Sequence, residues 1–590
     1  MTENGAQRGI DRRDFLKMGT AAATAAVLDP LGVGRAFAGQ PPARRPNIVF
    51  VFSDEHRWCS LPFTQTPQVV APNMARMARQ GTRFDHCFSA SPICIPFRGM
   101  LMTGRWPHQS GVISNDYYAH TDAIGVDSPT IAQTLKKAGY ATGYVGKWHL
   151  RNETAPRAGF DYFQHWRYGD NHWETPVRDV TTGEDFHPVK GYNAIGMTDQ
   201  ALEFMRAHAG GEQPFLLMLS LNPPHWRWDD APEEFVKLYP EGALPFRPNV
   251  TDDKYKTGNN LLYYRHYHAH ISAVDHQLGR LMDALKELGI DDDTVLIYTS
   301  DHGSSFGSNG VGSKGNPFDE AIRVPFIVRW PGRVPADRVA DNLLNSIDLY
   351  PTLCGLAGIE PPDGCGGQNF APVMLGRDGP DPASLFILVN NFQRNYYRSQ
   401  LVPDEWNFFY PFRGVRTKRY TYVVYAGGDW LLYDNEKDPH QLRNLVNDPA
   451  YAEVRAALRR ELDGWLAKAE DPFIPDEWRR LSLPDRIAKE NEYYTITPAK
   501  RQWDRYKANA IAPYLRNADA AQAKQLRAVA DNVLDQHFFG RYRAFYTELH
   551  GRRRWTKIPK NELELALAKH EAQFAARLKA EAERVLAAGR

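Results

Sequence analysis

Residues 47–56 read NIVFVFSDEH, an uninterrupted apolar run that ends at two acids and a histidine. A short run of this kind, rich in β-branched and aromatic residues, predicts a strand that is buried in a parallel sheet. Ligands of open α/β sheets bind outside the carboxyl ends of the strands. Asp54, Glu55 and His56 are therefore the first candidates for a functional site.

Four more apolar runs of similar length follow, and stretches with helical spacing of apolar residues separate several of them. Alternating strands and helices predict an α/β domain with a large, mostly parallel sheet between helices. We predict further buried parallel strands at 142–145, 215–221, 294–299 and 325–329, and helices at 71–80 and 261–288.

Three of these runs also end in reactive residues. The run at 142–145 is followed by Lys147 and His149, the run at 215–221 by His225, and the run at 294–299 by Asp301 and His302. Each short motif alone is common in turns and loops. Together they predict one pocket, because the carboxyl ends of parallel strands meet at the same edge of a sheet.

Asp54, Glu55, Asp301 and His302 offer three carboxylates and one imidazole to a metal ion. Oxygen-rich ligand sets suit Ca²⁺, Mg²⁺ or Mn²⁺, whereas nitrogen and sulfur sets suit Zn²⁺. We expect one divalent cation, with Ca²⁺ favoured and Mn²⁺ and Mg²⁺ as alternatives. A cation there neutralises an anionic substrate and polarises its oxygens.

The composition excludes several classes of protein. The chain has 590 residues, enough for two or three domains, and is 43% hydrophobic and 24% charged. Lys and Arg number 71 against 70 for Asp and Glu, so no basic field attracts nucleic acid or an anionic membrane. Five scattered cysteines argue against a disulfide framework. No run is long enough to predict a stable membrane span.

Residues 1–38 are typical of an export signal. The sequence DRRDFLK at 11–17 precedes a small-residue apolar run at 18–28, and AFA at 36–38 forms a cleavage site. The arginine pair resembles the bacterial twin-arginine signal. We therefore expect the twin-arginine (Tat) export machinery as a partner and a periplasmic or secreted protein. That route carries folded proteins, so a covalent modification can be made in the cytoplasm first.

The segment 94–105 reads CIPFRGMLMTGR. It resembles the C-x-P-x-R pattern, followed by T-G-R, of the type I sulfatases, in which the cysteine is oxidised to formylglycine. The resemblance covers residues 46–465 and implies the alkaline phosphatase-like fold, with a smaller C-terminal α+β domain. Further matching segments are APN at 71–73, RF at 83–84, GYVGKWHL at 143–150, DHG at 301–303, KG at 314–315, DEAIRVP at 319–325, LYD at 432–434, DP at 438–439 and NL at 444–445.

The resemblance implies hydrolysis of sulfate esters by a formylglycine hydrate that is bound to the cation and acts as the nucleophile. Arg98 and Lys147 would hold the hydrate, and His149 would be the base for its collapse. His225 and Lys314 would contact the leaving oxygen and the sulfate, with His225 as the proton donor. A formylglycine-generating enzyme is an implied partner. The implied catalytic residues are Cys94, Arg98, Lys147, His149, His225 and Lys314, and the metal ligands are Asp54, Glu55, Cys94, Asp301 and His302.

Three positions depart from the common family pattern. Phe97 stands where serine is frequent, Glu55 where Asp, Asn or Gln is usual, and His302 where asparagine is common. Histidine in that place resembles related phosphonate monoester and phosphodiester hydrolases, which remain an alternative function. A second alternative is a non-catalytic periplasmic carbohydrate-binding protein, against which the intact site residues argue.

Aromatic and cationic residues at 165–168, 172–173 and 226–228 offer a surface for a sugar or aryl ring, or else belong to the core of a long insertion. Because the predicted export brings the protein into contact with environmental polymers, we expect a sulfated carbohydrate as substrate rather than a simple aryl sulfate.

The chain is predicted to contain a catalytic domain at 46–394, a small C-terminal domain with an antiparallel sheet at 395–470, and a helical extension at 471–590. Alternating polar and apolar residues at 415–425 predict one half-buried strand in the small domain. In the extension, Leu567, Phe574, Leu578 and Val585 share one helical face. That face packs on its own subunit or forms the arm of a homo-oligomer.

Overall fold

The structure is a computed structural model. It describes residues 45–115, 124, 129–150, 155–156, 158–166, 171–184, 187–390, 411–425, 428–471, 473, 511–516, 518–534 and 576–587. The predicted export signal at 1–38 lies outside the described residues. No helix among those that the structure describes combines the length and the apolar composition that crossing a membrane requires.

The described residues form one large sheet, one two-stranded sheet and one four-stranded sheet. Their strands are β1 Asn47–Ser53, β2 Thr82–Phe84, β3 Cys87–Phe88, β4 Ala141–Lys147, β5 Tyr162–Trp166, β6 Trp173–Asp179, β7 His187–Tyr192, β8 Phe215–Leu221, β9 Thr294–Ser300, β10 Phe326–Arg329, β11 Arg338–Ala340, β12 Leu344–Asn345, β13 Leu385–Val389, β14 Phe412–Arg416, β15 Tyr420–Tyr425 and β16 Gly428–Asp434. In this part of the chain the large sheet has ten strands, in the order β11-β2-β10-β9-β1-β8-β4-β5-β6-β7.

The centre of the large sheet is parallel, as predicted. β1 pairs in parallel with β8 and β9, and β4 pairs in parallel with β8 and β5. Ser53 is in register with both Leu221 and Ser300, so three of these strands end at the same level. The residues that follow them are thereby brought to one edge.

One predicted strand runs the other way. β10 pairs antiparallel with β9 and with β2, so the prediction of a parallel strand at 325–329 was wrong. Only about 25 residues connect β9 to β10, and that segment crosses the site edge of the sheet rather than forming a crossover helix. A buried apolar run shows that a strand is covered on both faces, but it carries no information on direction.

Helices cover both faces of the large sheet. On β1, Val49 and Val51 belong to one apolar core, whereas Ile48, Phe50 and Phe52 belong to the other, as the alternation of a strand requires. The helices are α1 Pro72–Arg79, α2 Cys94–Thr103, α3 Pro107–Ser110, α4 Ile131–Lys137, α5 Asn193–His208, α6 Glu233–Val236, α7 Gly258–Glu287, α8 Asp319–Ile322, α9 Leu349–Leu356, α10 Ala371–Met374, α11 Ala452–Lys468 and α12 Ala520–Leu534. The predicted helices at 71–80 and 261–288 correspond to α1 and α7.

The four-stranded sheet is antiparallel throughout, in the order β13-β14-β15-β16. It includes β13, which the predicted boundary at 395 assigns to the catalytic domain. The single strand predicted at 415–425 is instead the end of β14, a turn and β15, because the polar residues at 417–419 reverse the chain and Thr417 N–H donates to the carbonyl of Tyr420 at 2.9 Å. The next strand, β16, contains the LYD segment.

Part of the C-terminal extension is described, as helical segments at 511–515, 520–534 and 576–587. Leu578 is buried and Val585 is half-buried on the last of these. Leu567 and Phe574, from the same predicted apolar face, lie outside the described residues.

Candidate active site

Cys94 is the first residue of α2, and the motif around it explains where this helix begins and ends. Pro96 lies in the first turn, where its missing N–H removes no helical hydrogen bond. Gly104 ends the helix at a φ of 64°, and its N–H donates to the carbonyl of Met100 at 2.8 Å. The whole helix is buried, so Cys94 is fixed at the sheet edge by packing.

The thiol of Cys94 faces an acid, an imidazole and an amine. Its Sγ lies 3.6 Å from Asp54 Oδ1, 3.2 Å from His302 Nε2 and 3.4 Å from Lys314 Nζ. These groups come from segments far apart in the sequence. The structure therefore brings the predicted nucleophile position and the predicted metal ligands into contact.

Arg98 lies four residues further along α2, on the same face as Cys94. Its Nη2 is 3.1 Å from Asp54 Oδ2 and 3.5 Å from Asp301 Oδ2. Its Nη1 donates to Ser220 Oγ at 2.8 Å. This buried guanidinium is thus paired and hydrogen-bonded, as a charge inside a protein must be.

Turns after β1 and β9 form the acidic side of the site. Glu55 has a φ of 76°, a conformation that side chains adopt only where the surroundings enforce it. Its N–H donates to Asp301 Oδ1 at 3.0 Å, and its carbonyl accepts from the Tyr267 hydroxyl at 2.8 Å. His302 donates from Nδ1 to the carbonyl of the next residue at 2.9 Å. Its Nε2 consequently faces the carboxylates of Asp54 and Asp301, at 3.7 and 3.5 Å.

The acidic side fits a divalent cation. Asp54, Cys94, Asp301 and His302 each offer one donor atom, and these atoms lie within 4.8 Å of one another. Oε1 of Glu55 is buried and has no hydrogen-bond partner among the described residues. Burial and the charge of Asp54 raise the pKa of Asp301. Carboxylates that repel each other in this way are stabilised by an added cation, and oxygen-rich donors suit a hard one.

Two lysines contact the carboxylates of this cluster. Lys147 Nζ lies 2.6 Å from Asp54 Oδ2, and Lys314 Nζ lies 3.2 Å from Glu55 Oε2. Burial alone would raise the pKa of Asp54, but positive charges, that of Lys147 first, hold it well below its usual value. An anion that enters between the lysines meets positive charge on more than one side.

His149 and His225 complete the set of predicted residues. His225 Nδ1 lies 2.7 Å from the carbonyl of Trp226, and its Nε2 lies 3.8 Å from Glu55 Oε2. Burial lowers the pKa of both histidines well below the usual value, and the charge of Lys147 lowers both further. Both rings are therefore neutral at pH 7 in the absence of substrate. A neutral imidazole is the form that accepts a proton.

Comparison with known protein families shows to which family the chain belongs. The family model described as Sulfatase matches residues 46–359. The chain belongs to the sulfatase family. A second model, described as the C-terminal part of N-sulphoglucosamine sulphohydrolase, matches residues 307–468 of this sulfatase. The predicted resemblance to the type I sulfatases is confirmed, and the activity of the enzyme is the hydrolysis of sulfate esters.

Individual relatives agree with this assignment. The sulfatase is 30% identical over 440 residues to an ulvan-active sulfatase of Formosa agariphila, covering 73% of this chain and 82% of that protein. It is 26% identical over 527 residues to an N-acetylglucosamine-6-O-sulfatase of Bacteroides thetaiotaomicron, covering 76% of this chain and 91% of that protein.

Solved structures share the fold. The sulfatase-like protein yidJ of Bacteroides fragilis superposes with a TM-score of 0.65 at 27% identity, over 76% of this chain and all of that one. The phosphonate monoester hydrolase of Agrobacterium radiobacter superposes with a TM-score of 0.59 at 22% identity, over 72% of this chain and 96% of that one. The alkaline phosphatase-like fold is confirmed, and the fold alone does not separate sulfate from phosphonate chemistry.

Further residues of the sulfatase support the site although no motif pointed to them. The hydroxyls of Tyr144 and Ser220 donate to the carbonyl of Lys147 at 2.5 and 2.9 Å. Asn222 is fully buried, and neither of its amide atoms is hydrogen-bonded to a described residue. Ser220 and Asn222 are two residues apart at the end of an otherwise apolar run, which is the signal that could have revealed them.

Proposed function

We propose that this sulfatase removes sulfate from a sulfated carbohydrate, with Cys94 oxidised to formylglycine and one divalent cation, Ca²⁺, in the acidic cluster. The position of Cys94 Sγ carries the proposal, because it touches both the acidic side at Asp54 and the cationic side at Lys314. The proposed ligands of the cation are Asp54, Glu55, Asp301, His302 and residue 94. Relatives named for ulvan and for N-acetylglucosamine 6-O-sulfate support a saccharide as substrate.

Two groups that the chain does not encode supply part of the chemistry. A divalent cation neutralises negative charge and polarises an oxygen bound to it. Formylglycine supplies, in its hydrated form, two hydroxyl groups on one carbon, so the nucleophile can be regenerated without attack of water on sulfur.

The basic residues of the chain hold the substrate and the nucleophile in place. Arg98 and Lys147 flank residue 94 and Asp54, so we assign them to orienting the nucleophile and stabilising its negative charge. Lys314 Nζ lies 3.4 Å from Cys94 Sγ, close enough to contact a sulfate that reacts there. These three cations balance the charge that develops on the sulfate oxygens.

The two histidines are assigned to proton transfer. His149 is neutral because of burial and nearby cations, so we assign it as the base that acts on residue 94. His225 donates from Nδ1 to the carbonyl of Trp226, which directs Nε2 toward Glu55 and the reacting centre. Burial first, and then the charges of Lys147 and Lys314, lower the pKa of His225. A bound sulfate ester offsets the lysine charges, so the ring can then carry a proton to the leaving oxygen.

Modification of Cys94 must precede folding. Its side chain is fully buried at the start of a buried helix, so an oxidising enzyme has no access to it in the folded protein. A formylglycine-generating enzyme would therefore act on the unfolded chain in the cytoplasm. The twin-arginine segment then exports the folded, modified enzyme to the periplasm or beyond.

Mass spectrometry of the peptide that contains Cys94 tests the nucleophile. Oxidation replaces CH₂SH by CHO and lowers the mass of the peptide accordingly, a covalent signature that no folding change produces. Sulfate release is measured in the same preparation. A fully active enzyme that carries only unmodified thiol contradicts the proposal.

His302 favours one second candidate, a phosphonate monoester or phosphodiester hydrolase. Parallel kinetics on an aryl sulfate, an aryl phosphodiester and an aryl phosphonate with the same leaving group separate the two. The same leaving group makes the ratio of kcat/KM values report on the transferred group alone. A dominant rate on the diester or the phosphonate would overturn the sulfatase assignment.

A further inference from the structure

The turn that follows β1 is closed by a single hydroxyl group from the long helix α7. Tyr267 donates from this hydroxyl to the carbonyl of Glu55 at 2.8 Å, and the same oxygen accepts from the N–H of Arg57 at 3.1 Å. All three residues are buried. The hydroxyl thus pairs two buried backbone groups that lie two residues apart, and buried backbone groups require such partners.

Glu55 needs this support because its backbone is in an unfavourable conformation. Its φ of 76° lies in the left-handed region, which a residue with a side chain keeps only where the surroundings enforce it. Two contacts do so. Asp301 Oδ1 accepts from the N–H of Glu55 at 3.0 Å, and the Tyr267 hydroxyl holds the carbonyl. The peptide groups on both sides of the Glu55 Cα atom are therefore fixed.

In this conformation the Glu55 side chain points into the acidic cluster. Its Oε2 lies 3.2 Å from Lys314 Nζ and 3.8 Å from His225 Nε2, and its Oε1 is buried with no hydrogen-bond partner among the described residues. The direction of the Cα–Cβ bond follows the backbone, so a change of φ at Glu55 displaces both carboxylate oxygens. Groups that orient a metal ligand through hydrogen bonds contribute strongly to metal affinity.

We propose that Tyr267 is a positioning residue for the cation: its hydroxyl keeps Glu55 in the left-handed conformation and thereby keeps the Glu55 carboxylate in place as a ligand. The inference rests on the proposed function, in which Glu55 is one of the ligands of a divalent cation. Tyr267 is not a ligand itself, because its hydroxyl is engaged with the backbone at Glu55 and Arg57. A carboxylate that is already in place spends less free energy on ordering when the ion binds.

Two conservative variants separate this role from general stabilisation. Tyr267→Phe removes the hydroxyl and keeps the aromatic ring. Tyr264→Phe is the matched control, because Tyr264 is a buried tyrosine on the same helix whose hydroxyl also makes two hydrogen bonds. That hydroxyl accepts from Arg57 Nη2 at 3.1 Å and donates to the carbonyl of Pro245 at 3.1 Å. The control loses a buried hydroxyl beside Arg57 but leaves the contact with Glu55 intact.

Isothermal titration of Ca²⁺ into the full-length enzyme, freed of metal with a chelator, measures the dissociation constant Kd of the cation. We expect Tyr267→Phe to raise Kd about 10-fold and Tyr264→Phe to leave it unchanged. Release of sulfate from an aryl sulfate, measured against Ca²⁺ concentration, should show the same shift of the half-saturating concentration. Saturating Ca²⁺ should restore the kcat of Tyr267→Phe, since the residue affects how tightly the ion is held and takes no part in the chemistry.

A double-mutant cycle tests whether the effect passes through Glu55. Glu55→Ala removes the carboxylate and raises Kd. Adding Tyr267→Phe to Glu55→Ala should then raise Kd no further, because the ligand that the hydroxyl positions is absent. If the two substitutions raise Kd by independent factors, Tyr267 does not act through Glu55 and the proposal is overturned.

Failure of this proposal and failure of the proposed function give different results. An unchanged Kd in Tyr267→Phe, an equal rise in Tyr264→Phe, or a Tyr267→Phe protein that does not fold even in saturating Ca²⁺ would show that Tyr267 has no positioning role beyond the fold. A wild type that binds no Ca²⁺ contradicts the cation of the proposed function. A wild type that binds Ca²⁺ but releases no sulfate from any ester contradicts the proposed activity, and Kd still reports on Tyr267.

Discussion

Gly146 precedes Lys147 on β4, so the close pairing of strands at Gly146 positions a residue of the site. The variant Gly146→Ala tests this dependence. Gly146 has a φ of 110° and is in register with Ser220 on the neighbouring strand β8. A Cβ added there would lie 2.1 Å from the carbonyl oxygen of Ser220, whereas real Cβ atoms keep at least 3.0 Å from such atoms. The strands must therefore separate next to Lys147, whose Nζ holds Asp54 at 2.6 Å.

The expected loss of stability has two parts. A side chain at this φ costs about 1–3 kcal/mol in backbone strain. Forcing an extra methyl group into a packed interior costs a further ~1–3 kcal/mol. Gly139→Ala is a matched control, because Gly139 has a φ of 92° but a Cβ there meets nothing within 4 Å. Gly139→Ala should lose only the free energy that backbone strain costs. The free energies of unfolding of the two variants should therefore differ by about 1–3 kcal/mol.

Urea unfolding followed by tryptophan fluorescence measures the free energies of unfolding, and sulfate release from an aryl sulfate measures activity. We expect kcat/KM to fall about 100-fold in Gly146→Ala, because a displacement near 1 Å of a catalytic group has effects of that size. Gly139→Ala should keep its activity, since Gly139 lies two residues before β4, at the end of that strand opposite Lys147. Equal losses of stability in the two variants, or full activity in Gly146→Ala, would refute the argument.

Three further predictions follow from the site. Asp301→Ala should lower activity by orders of magnitude while the fold survives, and elemental analysis should find one divalent cation per chain in the wild type and none in the variant. Full activity of the wild type in strong chelator, with metal shown to be absent, would contradict this prediction. Cys94→Ser should be essentially inactive, because serine has one hydroxyl where the hydrate has two, and intact mass should show a trapped sulfate ester that Cys94→Ala lacks; turnover at the wild-type rate would overturn the mechanism. Asn222→Leu should lower kcat/KM about 10-fold without lowering the melting temperature, because its buried amide makes no hydrogen bond within the described protein; a lower melting temperature with normal activity would make Asn222 purely structural.

Much of the site could be predicted because strand ends obey a simple rule. The apolar runs at β1, β4, β8 and β9 identify buried strands, and parallel strands bring their carboxyl ends to one edge. Asp54, Lys147 and Asp301 thus meet although they are far apart in sequence. The direction of β10 could not be predicted, because periodicity reports burial and not pairing.

The residues that hold the site in place were harder to find. Tyr267 lies in the middle of a 30-residue helix, where its hydroxyl reaches the carbonyl of Glu55. On the sequence it is one aromatic residue among many on an amphipathic face. Likewise, His172 and His270 are 98 residues apart, and only the tertiary structure places both beside Asp230. Such contacts depend on packing between elements, which local patterns do not encode.

Among the described residues, three groups of metal-ligating side chains have donor atoms close enough to hold a metal. Two of them share Asp54 and form one cluster beside Cys94, the third is His172, Asp230 and His270, and the chemistry favours a cation only in the cluster beside Cys94. At His172, Asp230 and His270, hydrogen bonds already use the protons: His172 Nδ1–H donates to Asp230, and His270 Nε2–H donates to the carbonyl of Arg227. The Tyr192 hydroxyl, 2.6 Å from His270 Nδ1, donates to that nitrogen. A cation on His172 Nδ1 would move its proton to Nε2, which is buried without an acceptor among the described residues.

In the cluster of Asp54, Glu55, Asp301 and His302, the distribution of protons and charge instead favours a cation. Oε1 of Glu55 is a buried acceptor without a hydrogen-bond donor in the described part of the chain, and the pKa of Asp301 is raised by burial and by the charge of Asp54. A cation there satisfies an unused oxygen and relieves repulsion between carboxylates, whereas at His172 it would break hydrogen bonds and strand an N–H. Proximity of donor atoms is common to both clusters, and the distribution of protons and charge distinguishes them. We therefore expect a cation at the cluster beside Cys94, whereas the cluster of His172, Asp230 and His270 anchors the chain segment around Arg227.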